Sequence, residues 1–355
     1  MKKIRVLVVD DSAFMRRVIS DIINKQPDME AIGTSRNGKE ALEKIKEMTP
    51  DVVTLDVEMP VMDGLEALER IMTEEPMPVI MLSSLTQSGA DATMRALQRG
   101  AVDFIPKPSG TVSLDIEKVS DEIINKIRVA AGARASVRRL TIPPPTPIIT
   151  RPQLVKQATV QGQLEKMVVI GTSTGGPKAL HEVIPQLPGN LAAGVLVVQH
   201  MPPGFTKSLA ERLDSLSNVN VKEAEDGEPV YPGCVYIAPG DFHLKVKQSG
   251  GPGSRRLNIS LTKDPAVSGH RPSVDAMFES AISEFWSPMV GVVMTGMGAD
   301  GAKGVIGIKQ KGGIVIAEDK STCIVFGMPK SVIETGCADK IVPLPQIAQE
   351  IARSL

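Results

Sequence analysis

The segment GTSTGG, residues 171–176, follows the apolar run MVVI and precedes PKALHEVIPQL. Glycine-flanked hydroxyls at a strand-to-helix turn fit three chemistries. A phosphate cradle needs G-x-x-x-x-G-K-[ST]; Gly171 and Gly176 have the spacing, but Pro177 stands where the lysine must be. A dinucleotide loop needs G-x-G-x-x-G, which the segment does not supply. What remains is G-x-S-x-G, filled by Gly171, Ser173 and Gly175. Glycines there allow a sharp turn that lifts a serine hydroxyl to a helix N-terminus. Pro177 suits the first helical turn, where its missing N–H is no loss. The segment is then either a structural turn or the seat of a nucleophile.

A nucleophilic serine needs a base, and the chain has four histidines. His181 lies on the helix that follows the serine and points away along it. His243 opens a strand of an expected hairpin. His200 ends VLVVQH, a second parallel strand, which brings it to the same sheet edge as Ser173. His270, in SGHRPSVDAMF, is the second candidate, as a group lining the pocket. An acid to orient the base is offered by Asp300, just past the strand in GVVMTGMGADG. Its other ordinary role there is helix N-capping. Serine nucleophile, histidine base and aspartate that fixes the tautomer form the triad logic. The chain order Ser, His, Asp differs from the Ser, Asp, His of α/β-hydrolases.

A second constellation lies near the N-terminus. Asp10 and Asp11 follow VLVV, and Asp56 follows VVTL. In open parallel sheets ligands bind beyond the carboxyl ends of the strands. Three carboxylates gathered there suit a hard divalent cation such as Mg²⁺, which would orient and neutralise a phosphoryl group arriving at one of them. Ser83 and Lys107 end two further strands and offer that group a hydroxyl and a positive charge.

These residues need elements to carry them. In the first half, apolar runs at 4–9, 31–35, 52–56, 79–83 and 102–107 alternate with helical spacing in AFMRRVISDIINKQ, GKEALEKIKEM, GLEALERIMTE and GADATMRALQRG. A last helix is expected over 115–131. The pattern predicts a doubly wound, five-stranded parallel sheet. Residues 132–165 hold five prolines between 143 and 152 and read as a linker. The second half, 166–355, repeats the α/β class. Its expected strands are 166–171, 194–200, 234–239, 243–247, 257–262, 289–296 and 312–319, and its helices follow Pro177 and run over 204–216, 273–285 and 301–310. The Gly-rich QSGGPGSRR marks a β-hairpin inserted into the doubly wound domain. The expected domains are therefore 1–131 and 166–355.

At 355 residues two domains are the natural expectation. A net charge of −1 and 3% aromatic residues give no sign of nucleic-acid binding. Three cysteines without C-x-x-C spacing suit a reduced compartment. The apolar run after MKK stops at Asp10, too early for an export signal, and no run nears the ~18 apolar residues of a membrane span. A cytoplasmic protein without membrane insertion is expected.

The pair DD at 10–11, LDVEMPVMDG at 55–64, SS at 83–84 and KP at 107–108 resemble the response-regulator receiver family, over about the first 120 residues. The resemblance implies a flavodoxin-like fold, Asp56 as phosphoacceptor, Asp10 and Asp11 as Mg²⁺ ligands with it, and Ser83 and Lys107 as the conformational readout. Phe104 falls on that family's aromatic switch position. In the second half GTSTGG, QHMPPGFTKSLAERL, APGDFHL, HRPSVDAMFES and TGMGADGAKG resemble the catalytic domain of bacterial chemotaxis protein-glutamate methylesterases. This implies a triad of Ser173, His200 and Asp300, with Thr174 and His270 lining the site and the backbone of Met297 stabilising an oxyanion. It implies hydrolysis of glutamyl methyl esters on chemotaxis receptors, deamidation of particular receptor glutamines and phosphorylation by the chemotaxis histidine kinase. It also implies a receiver that covers the esterase site until phosphorylated. The esterase half is expected to need no cofactor. Two other classes stand beside this one: a receiver-linked binding module, for which no basic helix-turn-helix is visible, and a regulated esterase of small molecules.

Overall fold

The computed structural model describes residues 3–107, 113–133, 163–250 and 255–355. The chain divides into two compact units, Met1–Pro147 and Ile148–Leu355. Of the expected linker, residues 134–162 lie outside the described residues.

The first unit is built on β1 (Ile4–Val9), β2 (Met29–Ser35), β3 (Val52–Asp56), β4 (Val79–Ser83) and β5 (Asp103–Pro106). They form one parallel sheet in the order β2-β1-β3-β4-β5, the flavodoxin-like order. The helices are α1 (Ala13–Asn24), α2 (Gly38–Met48), α3 (Gly64–Glu74), α4 (Gln87–Gln98) and α5 (Ser113–Gly132). Val6, Leu7, Val8 and Val9 are all buried. A strand buried on both faces reads as a continuous apolar run, which is why these strands lack alternation. Ser12, Asn37, Asp63 and Thr86 each accept the backbone N–H three residues on and so start α1 to α4.

The second unit holds a seven-stranded parallel sheet in the order β14-β13-β12-β6-β7-β9-β8. Its strands are β6 (Lys166–Thr172), β7 (Ala193–Gln199), β8 (Asn220–Glu223), β9 (Cys234–Ile237), β12 (Val290–Val293), β13 (Ile314–Glu318) and β14 (Lys340–Val342). The expected hairpin is β10 (His243–Ser249) against β11 (Arg256–Thr262), a separate antiparallel pair. Among the described residues six α-helices complete the unit: α6 (Gly176–Val183), α7 (Phe205–Leu216), α8 (Val274–Glu284), α9 (Ala302–Gln310), α10 (Met328–Glu334) and α11 (Leu344–Ser354). From β6 the chain goes to β7 on one side, then returns to β12 on the other. The crevice beyond the carboxyl ends of β6 and β12 is thus the switch point where α/β sheets bind ligands.

Four elements lie outside those expected from the sequence: β8, β14, α10 and α11. The two strands are four and three residues long and close the sheet at its edges. Short, polar edge strands discourage pairing with other chains and carry little pattern to read. Helix α11 does carry one, with Leu344, Ile347, Ala348 and Ile351 buried at helical spacing. Among the described residues no helix is long and apolar enough to cross a membrane.

Gly64 fixes how α3 leaves the edge that carries Asp56. A Cβ at this position would lie 2.0 Å from the Asp56 carbonyl oxygen, a backbone atom that no side-chain motion can move. Gly64→Ala should therefore destabilise the first unit by about 2–4 kcal/mol. Thermal unfolding would register this as a clear fall in midpoint; an unchanged midpoint would mean that the turn relaxes freely.

Candidate active site

Ser173 stands directly after β6, and the turn that presents it is tied down on both sides. Its N–H donates to the Thr295 carbonyl at 3.1 Å, and its own carbonyl accepts the Gly176 N–H at 2.7 Å. The glycines have separate reasons. Gly175 has φ +80°, a conformation that disfavours side chains. A Cβ on Gly171 would sit 2.4 Å from Val274, so α8 packs directly against this strand end. Gly175 caps α6 without a side chain, leaving N–H groups of the first turn unsatisfied within the helix, beside the serine.

His200 follows β7, and its N–H donates to the Thr172 carbonyl at 3.2 Å, extending the β6–β7 ladder by one step. The Gln199 amide nitrogen donates to the carbonyls of both Ser173 and His200, each at 3.0 Å, while its oxygen accepts from Thr172 at 2.7 Å. This buried glutamine holds the serine and histidine strand ends together. It was not among the expected site residues, because nothing in QH marks a side chain that reaches back across two strands.

The His200 ring binds Asp300, Nε2 to Oδ2, at 2.8 Å. Its Nδ1 is buried without a hydrogen-bond partner. An ionised carboxylate only accepts, so Nε2 carries the proton and Nδ1 is the free basic nitrogen. Among the described residues the Ser173 hydroxyl makes no hydrogen bond to either partner; contacts between nucleophile and base commonly tighten only once substrate is bound. His270 stacks on His200, ring centroids 3.8 Å apart and planes inclined by 13°. Burial, and then the proximity of His200, push the His270 imidazole down to about 4, against the pull of Asp300. The other two histidines are engaged elsewhere: His181 Nδ1 with the Pro177 carbonyl at 2.7 Å, and His243 Nε2 with that of Pro265 at 3.1 Å.

Asp300 is a cap, but not of the helix that follows it, as its position in the sequence suggested. Its carboxylate accepts from the Ser273 hydroxyl at 2.9 Å, the Val274 N–H at 2.7 Å and the Asp275 N–H at 2.9 Å, all at the start of α8. Helix α9 begins instead at Gly301. Burial raises the Asp300 carboxyl, yet the hydrogen bond and charge of His200 and the two backbone N–H groups hold it below the usual carboxylate range.

Thr174 and Met297 are placed through Thr295. The Thr295 hydroxyl donates to the Thr174 carbonyl at 3.0 Å, and its N–H donates to Glu318 Oε2 at 2.8 Å. Burial pushes the Glu318 carboxyl up to about 7 against its hydrogen bonds from Thr295 and Thr322. Gly296, between Thr295 and the half-exposed Met297, accepts from the N–H groups of Gly327 and Met328 at 3.1 and 2.9 Å. Thr295 and Glu318 carry no motif of their own.

In the first unit, carboxylate oxygens of Asp10, Asp11 and Asp56 lie within 4.8 Å of one another. Lys107 Nζ is 3.0 Å from Asp10 and 2.7 Å from Asp56. Burial raises the Asp56 carboxyl to about 6; Lys107 opposes this and the charge of Asp10 adds to it. An all-oxygen set of this kind fits Mg²⁺. The Ser83 hydroxyl donates to the Gly89 carbonyl at 3.0 Å. Phe104 is buried, with Lys126 Nζ 5.0 Å from its ring centroid.

Comparison with known proteins places both units in a family. The family model for the response regulator receiver domain matches residues 6–116, and that for CheB methylesterase matches residues 168–351. A protein-glutamate methylesterase/protein-glutamine glutaminase of Syntrophomonas wolfei is 53% identical over 358 residues, covering 100% of both chains. One from Thermotoga maritima is 52% identical over 98% of this chain and 97% of its own. The crystal structure of the Thermotoga maritima CheB methylesterase catalytic domain matches at 54% identity with a TM-score of 0.51, over 54% of this chain and 98% of that one. The chain therefore belongs to the CheB methylesterase family, in the form that carries a response regulator receiver domain ahead of the esterase domain.

Proposed function

We propose that this chain is a phosphorylation-activated serine esterase that hydrolyses glutamyl γ-methyl esters on chemotaxis receptors, releasing methanol. The observation that carries the reading is the buried His200, bonded through Nε2 to Asp300 with Nδ1 free, at the same sheet edge as Ser173. In this mechanism Ser173 Oγ attacks the ester carbonyl carbon as its proton passes to His200 Nδ1. Asp300 stabilises the imidazolium that forms. Backbone N–H groups at Thr174 and Met297 hold the oxyanion, each donor typically worth about 3 kcal/mol. His200 then protonates the departing methoxide, and water, activated by the same ring, cleaves the acyl-enzyme. With a glutamine as substrate the leaving group is ammonia, and the same steps give deamidation. His270 lines the site as a neutral ring. Every step runs through side chains or backbone of the esterase domain, with no cofactor.

In the receiver domain Asp56 is the phosphoacceptor, and Asp10, Asp11 and Asp56 would hold Mg²⁺. When bound, the ion would neutralise the phosphoryl oxygens. Lys107 pairs with the same oxygens, Ser83 turns its hydroxyl toward them, and Phe104 answers the change. The phosphodonor is the chemotaxis histidine kinase, which together with the receptor's cytoplasmic helices puts the reaction in the cytoplasm. Domain limits of 1–131 and 166–355, with a linker over 132–165, fit this division of labour.

Ser173→Ala should fold and lose essentially all methanol release from methylated receptor; retention of a tenth of the wild-type rate would remove Ser173 as nucleophile. His200→Gln should cost about 10³-fold or more, because triad members act as a unit, and His270→Gln should cost less. The depressed His270 has a second consequence. The unfolded chain takes up that proton near the usual 6.5 and the folded chain only near 4. Folded stability should therefore rise with pH between about 4 and 6.5. Chemical denaturation of His270→Gln across this range should show a flatter dependence than wild type. Incubated with phosphorylated kinase and Mg²⁺, Asp56→Asn should acquire no base-labile acyl phosphate and no rise in esterase rate. Labelling or activation of that variant would refute the choice of Asp56.

A further inference from the structure

Asp300 closes the N-terminus of α8, and a carboxylate of α8 does the same for the helix that follows Asp300. Asp275, in the first turn of α8, accepts the Gly304 N–H of α9 at 2.9 Å. Each helix is therefore capped by an aspartate from the other helix or from the loop that leads into it. Both carboxylates are buried, and each lies where the helix dipole favours negative charge. The exchange requires close helices, and the sequence provides for it. Added Cβ atoms on Gly301, Gly304 and Gly307 would lie 2.9, 2.5 and 2.8 Å from Val274, Phe278 and Ile282 of α8. Three glycines at helical spacing thus let α9 lie directly on α8. The mechanism above gives the Asp275 carboxylate no role, although it is buried and its own backbone N–H donates to Asp300, the partner of His200.

We infer that Asp275 is a positioning residue of the esterase site. It holds the N-terminal end of α9, and so the loop that carries Met297 and Asp300, against the helix to which Asp300 is bound. Removing it leaves Asp300 attached to α8 while the loop behind it loses its second anchor. Both the orienting acid and the oxyanion donor ride on that loop. The charge of Asp300 bears on the Asp275 carboxyl. The charged and titratable groups that bear on this cluster are Asp300 and Glu279 on Asp275, and Asp300 and His270 on His200. Burial raises the Asp275 carboxyl, and Asp300 adds to that rise, while the N–H groups of Gly304 and Gly301 lower it.

The test uses the full-length protein with Asp275→Ala and Asp275→Asn. The kinetic arm rests on the esterase reading; the spectroscopic arm, the NMR resonance of the His200 Nε2 proton bonded to Asp300, recorded without substrate, does not. Failure of wild type itself to release methanol would count against that reading and leave the NMR arm in force. With four histidines in the chain, a His200→Gln spectrum assigns the resonance. Asp275→Ala should lower kcat for methanol release by about 10-fold to 100-fold, with KM within about 2-fold. Asp275→Asn keeps an oxygen for the Gly304 N–H and should recover most of that loss. In the spectra the His200 Nε2 proton should shift or broaden in Asp275→Ala and keep its wild-type position in Asp275→Asn. Should Asp275→Ala fail to fold, the milder Asp275→Ser takes its place in both arms. A folded variant lacking the side-chain acceptor that keeps the wild-type resonance or wild-type kcat would reduce Asp275 to a structural cap and overturn the inference.

Discussion

The esterase half depends on one buried carboxylate. Asp300 accepts three hydrogen bonds from the start of α8 and a fourth from His200. Taking a carboxylate out of water is costly unless fixed donors replace its hydration. Here most of those donors are backbone N–H groups and a hydroxyl, positioned by a helix that is itself buried. The acid is therefore ionised and immobile before any substrate arrives. That state fixes which His200 nitrogen bears the proton, and hence which one is free to accept another. It also explains Gly171: α8 must press against β6 for the acid to reach the base, and only a residue without Cβ leaves room.

The receiver places its acids at strand ends too but treats them in the opposite way. In the proposed regulation Asp56 receives a phosphoryl group, a role that a cage of backbone donors around its carboxylate would prevent. Burial raises it and Lys107 partly restores it, leaving oxygens able to turn to a new partner. One architectural rule, function at the carboxyl edge of a parallel sheet, thus serves an acid that reacts and an acid that only holds. The difference lies in the donors: a lysine ammonium in one case, a helix N-terminus in the other.

What could be read in the sequence follows from this. Both parallel sheets were legible because their strands are nearly continuous apolar runs. The strand-to-helix turn at Ser173 was legible because its glycines have no substitute. His200 and Asp300 could be placed because strand ends in a parallel sheet share an edge. The supports could not. Gln199 bridging two strand ends, Thr295 fixing the Thr174 carbonyl and Glu318 behind it all depend on register between distant strands, which no local spacing encodes. The reading of Asp300 as a possible cap identified the right chemistry and the wrong helix, because capping motifs are local in sequence while this cap crosses 26 residues. The edge strands β8 and β14 were missed for want of length, whereas the helical stripe of α11 was in the sequence to be found.

In the proposed mechanism the stacked pair of imidazoles separates the base from its neighbour. His200 and His270 present nearly parallel rings 3.8 Å apart, so a proton on either raises the cost of a proton on the other. Only His200 touches the Asp300 carboxylate. Burial and the neighbouring ring both drive His270 toward neutrality, and a neutral ring adds no repulsion when His200 becomes imidazolium during attack. Two protonated rings at this spacing would undo the stabilisation that Asp300 supplies. A flat, uncharged, partly polar surface against the base keeps water away and costs the transition state nothing in charge. In the proposed mechanism the neighbouring ring is thus as much a part of the design as the carboxylate: Asp300 holds one ring by its Nε2, and burial beside that ring keeps the second neutral.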